Sequence, residues 1–295
     1  MPASSRAPSW WVRRIRAGLR SLATKGRVDR TCLRPVAVEL PGVPVPGVLV
    51  AGGPVAGVLV PGVLVAGERL ERILAALSAG GEAELSTRGL CQTAAAILGV
   101  NGTGVMLMSA DVAYGSLCAT NEVSELIEEL QYSVGEGPCV DAYNYDRVVL
   151  EPDLAAPAQV RWSAFAPPVL QVGVRAVFAF PLRVGAIRLG ALDLYTDRPG
   201  HLGDDQHADA LVIANLVASW VLDTQARAPL GSLAAALEAD ADFHFVVHNA
   251  AGMVSVQLGV SVTEAMLRLR AYAFGHERPL ESVAEDVVAR RLRLA

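Results

Sequence analysis

The amino-acid sequence predicts an α/β (α+β) domain over residues 68–226, a connector at 227–239 and an all-α module of three short helices at 240–295, all behind a low-complexity extension at 1–67 that reads as disordered. Three observations predict it. From Glu68 onward apolar periodicity alternates between strand-like and helical runs, as a layered α/β domain requires. Residues 240–295 carry a helical apolar stripe three times, interrupted each time by a turn signal. Ahead of both, Pro46-Gly-Val-Leu-Val-Ala-Gly52 recurs unchanged at Pro61–Gly67, with Ala56-Gly-Val-Leu-Val60 between the copies.

The extension raises the question of a membrane span. Between Glu39 and Glu68 lie 28 uncharged residues, and the basic Trp10-Trp-Val-Arg-Arg-Ile-Arg16 precedes them. Five prolines and seven glycines in that stretch argue against it, because lost amide donors and poor helical propensity would leave backbone groups unsatisfied in lipid. The expectation is a segment needed by neither domain, and no membrane partner.

Within residues 68–226, Leu70–Leu77 and Leu90–Leu98 read as helices. Gly104–Met108, Gly115–Ala119, Arg147–Leu150, Ala176–Phe180 and Ala186–Tyr195 read as strands, the last two joined as a hairpin through Arg183-Val-Gly-Ala186. Gly137-Pro138 has the geometry of a helix entry, with proline in the first turn. Asp204–Leu222 reads as a long helix with Ala210, Ile213, Ala214 and Val217 on one stripe and acids at its positive end.

The C-terminal module begins with a helix whose apolar positions are Val246, Val247, Ala250, Met253 and Val254, and which Gly259 stops. Ser261 and Glu264 form a capping box for the second helix, which presents Ala265, Leu269, Tyr272 and Ala273. Pro279 suits the first position of the third, whose apolar face is Leu280, Val283, Ala284, Val287 and Val288. Gly252 lies inside the first helix, where glycine costs roughly 1 kcal/mol relative to alanine and is expected where another backbone comes close.

Charge is unevenly distributed. The chain has a net charge of -5, yet residues 1–34 hold nine Lys/Arg against Asp29 alone, so the rest is strongly acidic and nucleic-acid contact must be local. Cys32, Cys91, Cys118 and Cys139 are widely spaced without a C-x-x-C pair, which argues against a zinc site or a disulfide-dense secreted scaffold and for a reducing cytoplasm. Catalysis finds no support: there is no nucleophile elbow, no kinase signature and no pair of carboxylates in a recognisable frame. Gly135-Glu-Gly-Pro-Cys139 lacks the lysine and hydroxyl of a phosphate-binding loop, and His201-Leu-Gly-Asp-Asp-Gln-His207 reads as a helix cap. No cofactor, metal or catalytic residue is expected.

The steps Ala250-x-Gly252, Glu264-Ala265, Leu269-Arg270 and Ala273 resemble the ANTAR domain, an RNA-binding three-helix module of bacterial antiterminators. Upstream, Tyr132-Ser-Val-Gly-Glu-Gly-Pro-Cys-Val-Asp-Ala-Tyr143, Trp162 and Gly190-Ala-Leu-Asp-Leu-Tyr195 resemble the GAF sensor domain that precedes ANTAR in many actinobacterial regulators. The resemblance implies a cytoplasmic, signal-responsive homodimer that binds leader-hairpin RNA, affects RNA polymerase indirectly, and does not bind DNA. It also implies a small-molecule pocket, for which Cys139, Tyr143, Trp162, Phe165, Phe178 and Tyr195 are the candidates, since pockets are mainly apolar and aromatic with a few polar groups.

RNA contact requires cations for phosphate and stacking or edge contacts for loop bases. Arg268, Arg270, Tyr272 and Arg278 are the candidates. Residues two apart on a helix point about 200° away from each other, so Arg268 and Arg270 serve different faces. Ala251 stands where many members carry lysine, and the alternative is a degenerate module serving as a dimerisation or protein-interaction surface.

Overall fold

The computed structural model describes residues 61–78, 87–109, 112–156, 161–229, 237 and 242–294. The extension before residue 61 and most of the expected connector lie outside the described residues. Six antiparallel strands form one sheet in the order β3-β4-β5-β1-β2-β6: β1 Gly102–Ser109, β2 Val112–Ala119, β3 Val149–Glu151, β4 Ala176–Val184, β5 Ile187–Thr196 and β6 Asp242–Phe243. The expected hairpin joins β4 to β5, and Gly185 at φ +58° supplies the left-handed residue of its tight turn.

One face of the sheet is covered by α1 (Pro61–Ser78), α2 (Thr87–Leu98) and α6 (Asp204–Ala226). Their inward residues Ile73, Ala94, Leu98, Ala210, Ile213, Ala214 and Val217 meet Val105, Leu117, Phe178, Phe180, Leu182, Leu192 and Leu194 of the strands. The expected stripe of α6 is thus the buried one. Gln206 accepts the Gly203 amide at 2.9 Å and caps its start. The first helix begins at Pro61, inside the repeat read as extension, and Arg69 and Arg72 tie it to the buried Asp209 of α6 at 2.5 and 2.7 Å. A disulfide joins Cys91 of α2 to Cys118 of β2; their spacing in sequence gives no reason to pair them. Closing a loop of 27 residues restricts the unfolded chain by about 3–4 kcal/mol.

The opposite face is covered by α3 (Glu122–Val134), α4 (Pro138–Tyr145) and α5 (Ala166–Gln171), and by the C-terminal unit of α7 (Phe245–Leu258), α8 (Val262–Gly275) and α9 (Leu280–Val288). Neither α3 nor α5 was legible as a helix, and α5 carries Pro167 and Pro168 in its first turn, which read as loop. The C-terminal unit enters through β6, which pairs with the edge strand β2, and its own core is Val247, Ala250, Val254, Ala265, Leu269, Leu280, Val283, Ala284 and Val287. Gly259 ends α7 in the left-handed conformation, at φ +65°.

Details of that unit differ from expectation for identifiable reasons. Met253 and Val288 are exposed: the buried line of α7 is Val247, Ala250, Ala251 and Val254, which leaves Met253 outside it, and Val288 is the last residue of α9, next to the buried Val287 rather than on its line. Pro279 is the residue before α9 rather than its first. The capping box is half made: Ser261 accepts the Glu264 amide at 3.1 Å, but the Glu264 carboxylate takes Arg268 at 2.9 Å instead of the reciprocal amide. No single helix among the described residues is long and apolar enough to cross a membrane.

Candidate functional site

Helix α3 positions the site. Asn121 caps it, its Oδ1 accepting the amides of Val123 and Ser124 at 3.1 and 3.0 Å, and Gly135 closes it at φ +71°. Its inward line, at i, i+3, i+4 and i+7, is Ser124, Ile127, Glu128 and Gln131, so three polar side chains occupy what is normally an apolar stripe. Glu128 is 1% exposed and lies against Gly104 of β1, where any side chain would collide with its carboxylate; Gly104 is glycine because the acid fills that space. Asp193, 5% exposed, projects from β5 onto the same face. Gln131 binds both sides of the site, donating to Asp193 at 2.9 Å and accepting the Cys139 amide at 2.8 Å.

Every residue of Gly135-Glu-Gly-Pro-Cys139 has a structural task here. Glu136 Oε1 accepts the amides of Ala164 and Phe165 and so caps α5. Gly137, at φ +143°, lets the backbone pass against Gln131, and Pro138 opens α4 as expected. Trp162 holds a positive φ of 58° and donates from Nε1 to Asp141 at 3.0 Å, pinning the loop before α5 to α4.

The electrostatics are those of two acids taken out of water together. Burial, and then the neighbouring Asp193 charge, push the Glu128 carboxyl well above the usual carboxylate range. Burial raises Asp193 to about 6, against the lowering effect of hydrogen bonds from Gln131, Glu128 and Cys139. The two carboxyls therefore titrate as a pair, and burial favours the protonated form of each. Burial, then Asp193 and Glu128, also push the Cys139 thiol well up, which leaves it a protonated, unreactive group. Between the acids lies a cavity of about 10 Å³, room for about one water molecule, lined by Gly104, Ser124, Ile127, Glu128, Asp193 and Tyr195 among others.

The expected pocket residues divide. Tyr195 lines the cavity, and Cys139 packs beside Asp193. Tyr143, Trp162 and Phe165 are buried in the core of the same face without lining it. Phe178 is a correction: strand alternation turns it to the opposite face, with Phe180 and Leu182, and gives Val177 to the cavity. The expectation of no paired carboxylates is also corrected, because Glu128 and Asp193 lie 65 positions apart in sequence and meet only when α3 lies on β5. Their one signal is an acid within an apolar run, as in Leu192-Asp-Leu194.

Comparison with known proteins places this architecture. The GAF domain family model matches residues 84–220. That segment is a GAF domain. GAF domains are typically ligand-sensing or signalling modules, and the cavity lies inside this one. Among solved structures, the chain is similar to the GAF domain of a phosphoenolpyruvate-protein phosphotransferase from Coxiella burnetii, at 14% identity and a TM-score of 0.43 over 56% of this chain and 96% of that one. A GAF domain from an Acinetobacter phosphoenolpyruvate-protein phosphotransferase gives 13%, 0.43, 55% and 96% in the same order. A type II free methionine-R-sulfoxide reductase from Thermoplasma acidophilum gives 18%, 0.36, 46% and 93%. No curated protein matches the chain significantly.

The C-terminal unit lies beyond the matched segment and packs on the GAF domain's α3. Tyr132 of α3 stacks on His244, with ring centroids 4.0 Å apart, and His244 Nε2 lies 3.3 Å from Glu129. Arg270 of α8 reaches into this contact: its guanidinium lies 5.7 Å over the Tyr132 ring and touches the Gly135 turn, where a side chain would strike it. Its Nε is enclosed without an acceptor, and burial holds the guanidinium below its ordinary pKa. The other expected RNA contacts are nearer solvent. Arg268 pairs with Glu264 at 2.9 Å, Arg278 with Asp286 at 2.5 Å, and Tyr272 stacks on His276 at 3.8 Å.

Proposed function

We propose that the chain is a signal-responsive regulator in which the GAF domain takes a small ligand and the three-helix unit binds hairpin RNA, acting in transcription antitermination without catalysis. The observation that carries the coupling is Arg270, which comes from the output unit and is enclosed between Tyr132 and Gly135 at the end of the helix that supplies Glu128 and Gln131 to the cavity. A ligand that displaces α3 or the Gly135–Cys139 turn changes the surface on which α8 rests. A buried guanidinium whose Nε has no acceptor is costly, so this docking is poised to yield. Undocking returns Arg270 to solvent, which adds a cation to the unit's exposed surface on a different face of α8 from Arg268.

RNA as the target rests on the ANTAR-like steps Ala250-x-Gly252, Glu264-Ala265 and Leu269-Arg270. One observation favours a second reading, in which the unit is a protein-interaction surface. Arg268, Arg278 and Arg291 are all engaged by acids, while Leu267 and Phe274 are exposed on α8.

Crosslinking the protein to RNA in its native cells, followed by sequencing, separates the two. The RNA reading expects enrichment of hairpins upstream of terminators. It also expects binding of those RNAs in vitro to weaken steeply with salt and to fall about tenfold in Arg268→Ala/Arg278→Ala. Equal recovery from wild type and that variant would overturn it and leave the interaction surface.

A further inference from the structure

The lining of the cavity is complementary to one kind of chemistry. Glu128 Oε1 and Oε2 and Asp193 Oδ1 are enclosed, with no donor for them beyond a carboxyl proton shared between the two acids and the Cys139 thiol beside Asp193, and no lysine, arginine or histidine is paired with either acid among the described residues. The neighbouring hydroxyls do not supply donors to the cavity, because Tyr195 donates to Asn121 Oδ1 at 2.9 Å and Ser124 Oγ lies 3.2 Å from the same oxygen and 2.8 Å from Thr120 Oγ1. The Gln131 amide already donates to the other oxygen of Asp193. What remains is a set of acceptors on two buried carboxyls around a space of about one water molecule.

An occupant that completes this site brings donors and a positive charge in the volume of a water molecule. An anion is excluded by the acids, and a neutral water leaves the buried Asp193 charge without a counter-charge. We propose that the Glu128–Asp193 cavity binds a protonated primary nitrogen: ammonium itself, or the head of a small alkylammonium whose carbon lies along Ile127 and Val177. Three of its N–H bonds point at Glu128 Oε1, Glu128 Oε2 and Asp193 Oδ1 when the Glu128 proton is released to solvent or turned to Asp193. Charge-assisted bonds in an enclosed site are the strong kind, and an inorganic cation such as potassium satisfies the charge without the directions. This identifies the ligand class of the sensor proposed above and rests on that assignment of the cavity.

The test uses the full chain at pH 7.5 in ammonium, methylammonium, tetramethylammonium or potassium chloride at matched ionic strength. A rise of about 3–5 °C in the unfolding midpoint is expected with ammonium, methylammonium or both, and none with the other two salts. Ammonium alone would mean a site closed around the bare ion; response to methylammonium would mean that the alkyl group fits along the apolar wall. In Glu128→Gln/Asp193→Asn, which keeps the shape and removes the charge, the rise is expected to vanish. The same loss is expected for the slowly exchanging proton signal of bound nitrogen-15 ammonium in the wild type. An equal rise with potassium or tetramethylammonium, an unchanged response in the double variant, or no response to either ammonium salt would overturn the assignment. A midpoint shift without change in RNA affinity would leave the ligand class standing and sink the coupling to output; RNA affinity that answers to another effector but never to ammonium salts would do the reverse.

Discussion

The two faces of the sheet are built to different rules. On the face under α1, α2 and α6, buried side chains are almost wholly apolar, and one disulfide fastens a helix to a strand. On the face under α3, α4 and the C-terminal unit, the same depth holds Glu128, Gln131, Asp193 and the head of Arg270 among Met106, Ile127, Tyr132 and Ala191. The first arrangement maximises apolar burial and is indifferent to anything but shape. The second leaves carboxylate oxygens and one guanidinium nitrogen short of hydrogen bonds, a condition that lowers stability and is retained where a ligand or a moving contact uses it.

The sharpest way to break the contrast is to injure the apolar face. Phe180 is fully buried there and packs edge-on against His207 with ring centroids 5.3 Å apart. Phe180→Ala is expected to cost about 3–5 kcal/mol in urea unfolding, through lost burial and the cavity left behind. A loss under about 1 kcal/mol would mean that this face is not the chain's main source of stability.

The polar face is expected to answer in the opposite direction. Asp193 has its carboxyl raised in the fold from 3.8 to about 6, so the folded state binds a proton more tightly than the unfolded one. The sign follows: stability is complete at or below about pH 4, and is lost as pH rises through about 6. Asp193→Asn stays neutral and keeps the Gln131 contact. In ammonium-free buffer it is expected to match the wild type near pH 4 and to exceed it at pH 8 by about 2–3 kcal/mol in the urea midpoint analysis. A variant less stable than wild type at pH 8 would show that the acid is compensated by something other than its proton.

The same contrast explains how far the sequence could be read. Strands β1 to β5, α2, α6 and the three C-terminal helices were legible because their inward positions are apolar at the spacing of their element, as with Ala210, Ile213, Ala214 and Val217, whereas the two-residue β6 lies in a segment that reads as all helical. Helix α3 was not, although Asn121 and Gly135 are good end signals, because its inward line is Ser124, Ile127, Glu128 and Gln131. The side chains that make the site are the ones that hid the helix. Tyr195 and Cys139 were found near the cavity from the resemblance, whereas pairing Glu128 with Asp193 requires the packing of α3 on β5, which no local pattern encodes. Phe178 was misplaced for a related reason: in a strand buried on both faces, aromatic character does not say which face a residue serves.

The smallest expected effect concerns the outer layer of the polar face. Gly252 lies inside α7, and a side chain there would meet nothing within 4 Å, so no backbone among the described residues comes close to it. In a free helix, Gly252→Ala raises stability by about 0.5–1 kcal/mol through helical propensity alone. Phe245 and Val256 are exposed on the same helix, seven residues before and four after Gly252, and so share its side. If that side is free, the alanine variant melts slightly higher at every protein concentration. If a second copy packs there, alanine obstructs the close approach, and the variant melts lower than wild type by an amount that grows with concentration, since association stabilises only the wild type. The sign of this small shift therefore decides whether the polar face ends at α7 or continues into a partner.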